Sequence, residues 1–148
     1  MNDIEFVTES NKIEGALREP TSLELAEHLR FVSLKRVVVE DLIRFVSIYQ
    51  KGAVLRNKIG LNVRVGSHYP PNGGPEIVRK LKNLLDLANM GLTTPHTLHC
   101  DYEDLHPFTD GNGRSGRALW AWMMQKNGGY PLGFLHHFYY QTLERYEG

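Results

Sequence analysis

The stretch from His106 to Arg117, "HPFTDGNGRSGR", combines an imidazole, a carboxylate, an amide between two glycines, and two arginines. Glycine permits positive φ angles and close backbone approach, and successive backbone N–H groups can form a nest that binds an anion. If a helix begins here, its free N–H groups and dipole favour negative charge at the same place. Arg114 and Arg117 would then lie on nearly the same helix face. Two fixed guanidiniums beside such a nest suit a polyphosphate.

Two further side chains in this stretch extend the chemistry. Asp110 beside phosphates would be a natural Mg²⁺ ligand, because Mg²⁺ usually takes one or two carboxylates together with phosphate oxygens and water. His106 has the side chain whose ordinary pKa best suits a general base near neutrality. Each residue alone could belong to a polar turn that caps a helix, but the whole set in one loop favours nucleotide chemistry. No G-K-[ST] sequence follows, so the loop is not a Walker loop.

The composition predicts one ordinary globular domain spanning residues 1–148. Hydrophobic residues make up 41% and charged residues 23% of the chain, and the formal net charge is zero, so no nucleic-acid partner is expected. No apolar run approaches the roughly 20 residues of a membrane span, so no membrane partner is expected. The single cysteine, Cys100, and the acidic start "MNDIEF" favour a cytoplasmic protein, while delivery to another cell stays open.

The elements that must position these residues are mostly helices. Periodic apolar residues and start signals predict about six of them, so the predicted class is all-α. Thr21 and Glu24 form a capping-box pattern, and Pro75 and Pro95 each follow a helix-start signal. The others are expected near Val37 to Tyr49, after the loop, and in "LGFLHHFYYQTLERYEG". The stretch "GAVLRNKIGLNVRVGSHYPPNGGP" mixes β-branched residues with Gly and Pro, which predicts a small hairpin or loop.

The helix after the loop has an apolar face formed by Leu119, Trp122 and Met123, and Gly128-Gly129 predicts its end. Trp120 and Trp122 cannot both face the core from one side of a helix. We therefore expect at least one of these two indoles to be partly exposed or to meet a neighbouring element, such as an N-terminal helix.

The sequence resembles the Fic-domain family, whose signature is H-x-F-x-[DE]-G-N-G-R-x-x-R. The stretch from His106 to Arg117 fills every specified position, and the similarity extends from about Leu55 through Met124. The resemblance implies a compact helical core with a short β-hairpin flap at about residues 54–70. It also implies a protein adenylyltransferase, which moves AMP from ATP to a Tyr, Thr or Ser hydroxyl of a target protein and releases pyrophosphate.

The same resemblance assigns roles within the catalytic loop, residues 106–117. His106 would be the general base, and Asp110 would hold Mg²⁺ on the α- and β-phosphates. Phe108 would anchor the loop in the core. Asn112 would touch the α-phosphate in an anion hole, and arginines would grip the β- and γ-phosphates. The residues implied in nucleotide binding are Gly111, Asn112, Gly113, Arg114 and Arg117.

The flap would hold a segment of the target by backbone pairing, in the manner of strand addition. This would align the hydroxyl of the target with the α-phosphorus. The flap residues implied in target binding are Asn62, Val63, Arg64, Val65 and Gly66.

A second motif, "SNKIEG", begins at Ser10. On a helix Ser10 and Glu14 share a face, and a solvated glutamate at a frayed helix end is the ordinary interpretation of that spacing. In Fic proteins, however, [ST]-x-x-x-E-[GN] is an autoinhibitory motif whose glutamate pairs with the second arginine of the signature. The resemblance therefore implies an inhibitory helix in residues 1–20, a Glu14–Arg117 pair, and a catalytic core in residues 21–148.

Other functions stay open. The alternatives are a Fic-fold enzyme with another donor or reaction (uridylyl transfer, phosphorylation or removal of AMP) and a non-catalytic Fic-fold interaction module. Self-modification and a homo-oligomer are compatible with the sequence. Family members often carry Asn-Arg before a Tyr-Tyr pair near the adenine, whereas here Leu135-His136 precede Tyr139-Tyr140.

Overall fold

The computed structural model of this chain describes residues 2–128, and this part is helical, as predicted. The predicted C-terminal helix and the Tyr139-Tyr140 pair lie outside the described residues. The helices are α1 Asp3–Ile13, α2 Ser22–Val32, α3 Val39–Tyr49, α4 Pro75–Asn89, α5 Pro95–Leu105 and α6 Asn112–Lys126. None of these helices is both long enough and apolar enough to span a bilayer.

The start signals in the sequence correspond to the observed helix starts. Thr21 caps α2 in a capping box: its hydroxyl accepts from Glu24 N at 3.1 Å, and Glu24 Oε1 accepts from Thr21 N at 2.8 Å. Pro75 and Pro95 stand at the first positions of α4 and α5, where a missing backbone N–H costs nothing. The predictions of α2, α4 and α5 are therefore confirmed.

Helix α6 lies at the centre of the fold and packs against α1, α2, α3 and α5. Because neighbours cover it on several sides, every residue from Asn112 to Met123 except Gly113 is buried. Of the two outcomes expected for the indoles, contact with neighbouring elements is the one observed, since Trp120 is 7% and Trp122 0% exposed. Trp122 keeps its indole N–H satisfied by donating to Leu34 O at 2.8 Å, as a buried donor must.

The loop of residues 106–117 is attached by backbone pairing to the chain after α3. Leu55 and Phe108 form an isolated antiparallel bridge. Arg56 N donates to Pro107 O and Thr109 N donates to Val54 O, both at 2.9 Å. The start of the predicted flap region is thus joined directly to the loop that carries His106.

The predicted β-hairpin is reduced to one bridge, between Val65 and His68, and residues 2–128 contain no assigned strand. These two residues exchange both backbone hydrogen bonds, at 3.0 and 2.8 Å. In an antiparallel ladder the next hydrogen-bonded pair would join Val63 to Pro70. Proline has no N–H to give, so the ladder ends after one pair.

Helix α1 is docked on the rest of the fold through a narrow apolar face. Phe6 and Val7 are each 2% exposed, and Phe6 stacks on His28 of α2 with ring centroids 5.2 Å apart. His28 Nε2 lies 2.9 Å from Asp3 Oδ1, near the start of α1. Ser10 and Asn11 continue this face and are also buried, so the docked helix brings polar side chains to α6.

Candidate active site

The backbone at the start of α6 is shaped to receive an anion. Gly111 has φ 79° and ψ 7°, a left-handed conformation that favours glycine, and a Cβ there would crowd Val46 and Gln50. Ser115 N is the first backbone N–H of α6 that donates to a carbonyl of the preceding turn, and its acceptor is Gly111 O at 3.1 Å. No side chain caps the helix. The N–H groups of residues 112–114 therefore precede the helical hydrogen bonds, an arrangement that can bind an anion.

Asn112 closes the loop through its side chain. Its Oδ1 accepts from Phe108 N at 2.9 Å and its Nδ2 donates to Phe108 O at 2.8 Å. Asn112 is 2% and Phe108 1% exposed, so Phe108 is anchored in the core as expected. The Oδ1 of Asn112 and one N–H of its Nδ2 are thus used by Phe108, and its backbone N–H at the start of α6 is a further donor for a phosphate.

Arg117 is the most heavily engaged side chain of the loop. It is fully buried, and its Nε donates to Ser10 Oγ at 2.7 Å. Its Nη2 donates to Ser10 O at 3.0 Å and to Glu14 Oε1 at 2.7 Å. The two residues singled out in the N-terminal motif thus both contact the second arginine of the loop.

The carboxylate of Glu14 also reaches the backbone of α6. A Cβ built on Gly113 would overlap Glu14 Oε1 and would meet Arg117 Nη1 at 3.3 Å. Gly113 has an ordinary helical φ, unlike Gly111. Glycine is therefore needed at this position because it lets the Glu14 carboxylate approach the backbone closely, not because of its conformational freedom. A negative group already lies against the first turn of α6.

Arg114 faces α1 and α3, with partners that the sequence did not indicate. Its Nη2 donates to Gln50 Oε1 at 2.5 Å and its Nη1 to Asn11 Oδ1 at 3.4 Å. Its guanidinium lies 5.7 Å from the centre of the Tyr49 ring. Burial lowers the pKa of Arg114, and the charge of Glu14 opposes that effect. Asn11 lies within the "SNKIEG" stretch but at a position that the motif leaves unspecified.

His106 ends α5 in a strained conformation. Its φ of 50° and ψ of 62° make it the one non-glycine residue with positive φ among residues 2–128. Such a conformation costs roughly 1–2 kcal/mol for an L-residue, and strain of this kind clusters at functional sites. Burial lowers the pKa of His106 below its ordinary 6.5. The imidazole is therefore neutral near pH 7, the form a general base needs.

Asp110 is exposed at the mouth of the loop. Its Oδ1 accepts from Gly111 N at 2.8 Å, and its other oxygen has no hydrogen bond within the described residues. No group of three or more His, Cys, Asp or Glu side chains in this part of the chain could hold a metal unaided. A Mg²⁺ ion at Asp110 would therefore depend on phosphate oxygens and water for its remaining ligands, which is usual for Mg²⁺.

Glu103, which sequence reasoning missed, lies behind the loop on α5. Its Oε1 is buried without a hydrogen-bond partner in residues 2–128 and sits against Gly116, where a Cβ would overlap it. Burial raises the pKa of Glu103 to about 8, and the charge of Arg117 opposes that rise. Its position three residues before His106 is the only sequence signal for it.

The predicted flap residues form an exposed turn. Asn62 Oδ1 accepts from Gly73 N at 2.9 Å, and Arg64 Nε donates to Gly66 O at 2.7 Å. Val65 is 43% exposed, Asn62, Arg64 and Gly66 are exposed, and Val63 is half-buried. The turn connects to α5 through His68, whose Nε2 lies 2.9 Å from Asp104 O. The structure thus brings the turn beside the helix that ends at His106.

Comparison with known proteins identifies the family of this chain. No curated protein matches the chain. The profile of the Fic/DOC family matches residues 34–124, which include α3 to α5, the whole loop and most of α6. The chain belongs to the Fic/DOC family.

Proposed function

We propose that this protein is an adenylyltransferase that moves AMP from ATP to a hydroxyl of a target protein, and that α1 holds it inactive. The observation that carries the proposal is the contact of Glu14 with both Arg117 and the Gly113 backbone. A carboxylate placed there mimics a phosphate at the position where the family places one.

The phosphate chain of ATP fits the groups around the start of α6. The uncapped N–H groups of the first turn and the two arginines supply donors and positive charge. Asp110 has a free oxygen for Mg²⁺, which would neutralise charge on the phosphates during transfer. Positioning and charge stabilisation supply most of the catalysis of this kind of transfer.

His106 would start the reaction by removing a proton. Its neutral imidazole takes the proton of the target hydroxyl while that oxygen forms a bond to the α-phosphorus. The bond from the α-phosphorus to the bridging oxygen breaks, and pyrophosphate leaves with that electron pair. The imidazolium then returns its proton to solvent. The strained backbone of His106 fixes the direction from which the imidazole approaches.

The target would lie along the exposed turn that contains Asn62 to Gly66. Within this turn the backbone groups of Val63 and Arg64 have no hydrogen bond among the described residues, so they can pair with an extended segment by strand addition. A groove of about 650 Å³ lies next to it, lined in part by His68, Asp104 and Leu105, so the groove reaches the residue before His106. Turn and groove together give a target segment room beside the base.

Inhibition by α1 follows from competition for Arg117. Two unit charges about 4 Å apart interact by about 4 kcal/mol at an effective dielectric of 20, and desolvation offsets much of this. While Glu14 holds Arg117, the γ-phosphate of ATP meets an occupied guanidinium and a nearby negative charge. Bound ATP is then turned away from the geometry in which its α-phosphorus faces the hydroxyl.

The test is label transfer from nucleotides in four proteins: the parent, Glu14→Gly, the double variant Glu14→Gly with Arg117→Ala, and the control Glu19→Gly. Glu19 is exposed in the loop after α1 and has no contact with Arg117. With α-labelled ATP, Mg²⁺ and a target lysate, Glu14→Gly should label protein at least ten-fold faster than the parent or Glu19→Gly. The double variant should be silent, and EDTA should stop labelling.

Parallel reactions separate the alternatives. Faster labelling from α-labelled UTP than from ATP would indicate uridylyl transfer, and labelling from γ-labelled ATP alone would indicate a kinase. Release of AMP from a labelled target would indicate the reverse reaction. Equal labelling by the parent and Glu14→Gly, both binding ATP, would remove the inhibitory role of Glu14. No labelling by Glu14→Gly from any nucleotide would leave an interaction module.

A further inference from the structure

Arg56 is a buried cation whose hydrogen bonds all go to backbone carbonyls. It is 0% exposed. Its Nε donates to His106 O at 2.7 Å and its Nη2 to Leu105 O at 2.9 Å. Its Nη1 donates to Leu61 O at 3.1 Å and to Pro71 O at 2.8 Å. No carboxylate of residues 2–128 is paired with it, and burial lowers its pKa.

The four carbonyls belong to two parts of the site. Two lie at the end of α5, at Leu105 and His106, and two lie at either end of the segment 61–71 that carries the exposed turn. The guanidinium is planar and presents its N–H groups in fixed directions, so it sets the distance and angle between its acceptors. Burying a cation without a counter-charge costs free energy. An apolar side chain could fill the same space without that cost, so we expect Arg56 to have a role beyond filling space.

The bond to His106 acts on the strained residue itself. The left-handed backbone of His106 is held at its N–H by Tyr102 O at 2.9 Å and at its carbonyl by Arg56 Nε. These two bonds fix the peptide planes on both sides of the His106 Cα, and hence the direction of its side chain. The positive charge of Arg56 also adds to burial in lowering the pKa of His106.

We propose that Arg56 is a positioning residue that fixes the His106 imidazole relative to the segment 61–71. Through it the base and the surface that receives the target hydroxyl keep one relative geometry. None of its acceptors lies between Gly111 and Arg117, so nucleotide binding does not depend on it. Only the expected effect on the transfer rate rests on the proposed function. The position of the His106 imidazole relative to the segment 61–71 can be measured without turnover.

The kinetic test uses Arg56→Lys, Arg56→Met and the control Arg79→Lys, each combined with Glu14→Gly. Arg79 is an exposed residue of α4 that pairs with Glu76 and touches neither the loop nor the turn. Arg56→Met should lower kcat for transfer by about 10²-fold, within the range of lost orientation, with less than a two-fold change in Mg-ATP affinity. Arg56→Lys keeps the charge and some of the donors, so it should recover part of the rate. Arg79→Lys should match its parent.

The second readout is the NMR signals of the imidazoles of His106 and His68 without nucleotide. Both should move in Arg56→Met and less in Arg56→Lys, and stay in place in Arg79→Lys. If the protein has no transferase activity at all, the proposed function fails and these signals alone decide the role of Arg56.

Three results would overturn the inference. One is an unchanged rate with unchanged imidazole signals in a folded Arg56→Met. Another is a loss of activity that comes entirely from weaker nucleotide binding. The third is that neither Arg56 variant folds, because Arg56 would then be required for stability rather than for positioning.

Discussion

His106 meets two requirements of a base through its surroundings rather than through its own chemistry. Burial keeps its imidazole neutral near pH 7, and the end of α5 holds its backbone left-handed. A histidine in an exposed loop would have neither a lowered pKa nor a fixed direction. The contribution of this residue to catalysis should therefore be separable from nucleotide binding.

The variant His106→Ala, made in the Glu14→Gly background, should lose transfer by the roughly 10²–10⁴ typical of general acid–base catalysis. Burial lowers the pKa of His106 below its ordinary 6.5. The transfer rate of the Glu14→Gly protein, which retains His106, should therefore rise with pH only below pH 6.5 and be flat above it. The measurement is label transfer across pH with Mg-ATP affinity measured alongside. Transfer at the Glu14→Gly rate, or a tenfold weaker ATP affinity that explains the loss, would contradict the assignment.

Glu103 makes stability depend on pH in a direction opposite to that of a salt-bridged carboxylate. Its pKa is about 8 in the folded protein and about 4.3 in an unfolded chain. Between these values the folded state holds a proton that the unfolded state has lost. The free energy of unfolding contributed by this group is thus full below about pH 4 and falls as pH rises towards 8.

Glu103→Gln should remove this part of the pH dependence, because an amide does not titrate. The difference between the two proteins should grow in favour of the variant between pH 5 and 8, by on the order of 1–3 kcal/mol. Urea unfolding at several pH values measures it, with Glu19→Gln as the exposed control. A parent and variant with parallel stability curves would show that Glu103 titrates normally in the folded state.

Helix α1 is the element on which regulation would depend, and its attachment is small. It packs on α2 and α6 through Phe6 and Val7, with polar contacts at Ser10, Asn11 and Glu14. Elements with few buried apolar contacts open at lower free energy than the core. Loosening α1 through its apolar face should therefore act like removing Glu14, although α1 keeps its carboxylate.

Phe6→Ala should raise transfer above the parent rate but below that of Glu14→Gly. A buried Phe→Ala change costs about 3–5 kcal/mol at a core site, and here the cost falls first on the docking of α1. Hydrogen exchange should quicken in residues 3–13 and stay unchanged in α3 to α5. Ile4→Ala, on the same helix but 52% exposed, is the control. Faster exchange of α1 without any gain in transfer would argue against inhibition by this helix.

The sequence predicted helix boundaries correctly where residues close to the boundary determine them. The Thr21 capping box and the prolines at Pro75 and Pro95 act within one turn, so these helix starts were predicted correctly. Of the predicted hairpin only the Val65–His68 bridge forms. The β-branched residues favoured strands, but Pro70 has no N–H for the next hydrogen bond of the ladder. For the two indoles of α6 the sequence left exposure and contact with a neighbouring element open, because burial on all sides depends on the packing of four other helices.

The candidate site shows the same division. The loop residues and the Glu14–Arg117 pair could be anticipated from motifs with fixed spacing. Gln50 and Asn11 could not, since each comes from another helix and meets the loop only after α3 and α1 have packed on α6. Long-range placement of this kind leaves no periodic or local signal in the chain.

At the scale of the whole molecule, the proposed function would link the docking of α1 and the binding of ATP through one guanidinium, that of Arg117. If both require Arg117, each must weaken the other by the same factor. Couplings between sites are typically about 1–3 kcal/mol, or about 5–150-fold in affinity. The effect is therefore measurable on folded protein without any target or any turnover.

Mg-ATP should raise the unfolding temperature of Glu14→Gly more than that of the parent at equal nucleotide concentration. Ligand stabilisation grows as RT ln(1 + [L]/Kd), about 2.7 kcal/mol at a hundred times Kd, so a weaker apparent affinity in the parent gives a smaller shift. By reciprocity, saturating Mg-ATP should speed hydrogen exchange of residues 3–13 in the parent and leave α5 unchanged.

The control is the Arg117→Ala background. There, changing Glu14 should no longer alter the shift in unfolding temperature caused by Mg-ATP, and Mg-ATP should no longer alter the hydrogen exchange of α1. Equal temperature shifts in the parent and Glu14→Gly, together with unaltered exchange of α1, would mean that helix and nucleotide do not compete. Glu14 would then be only a stabilising partner of a buried arginine.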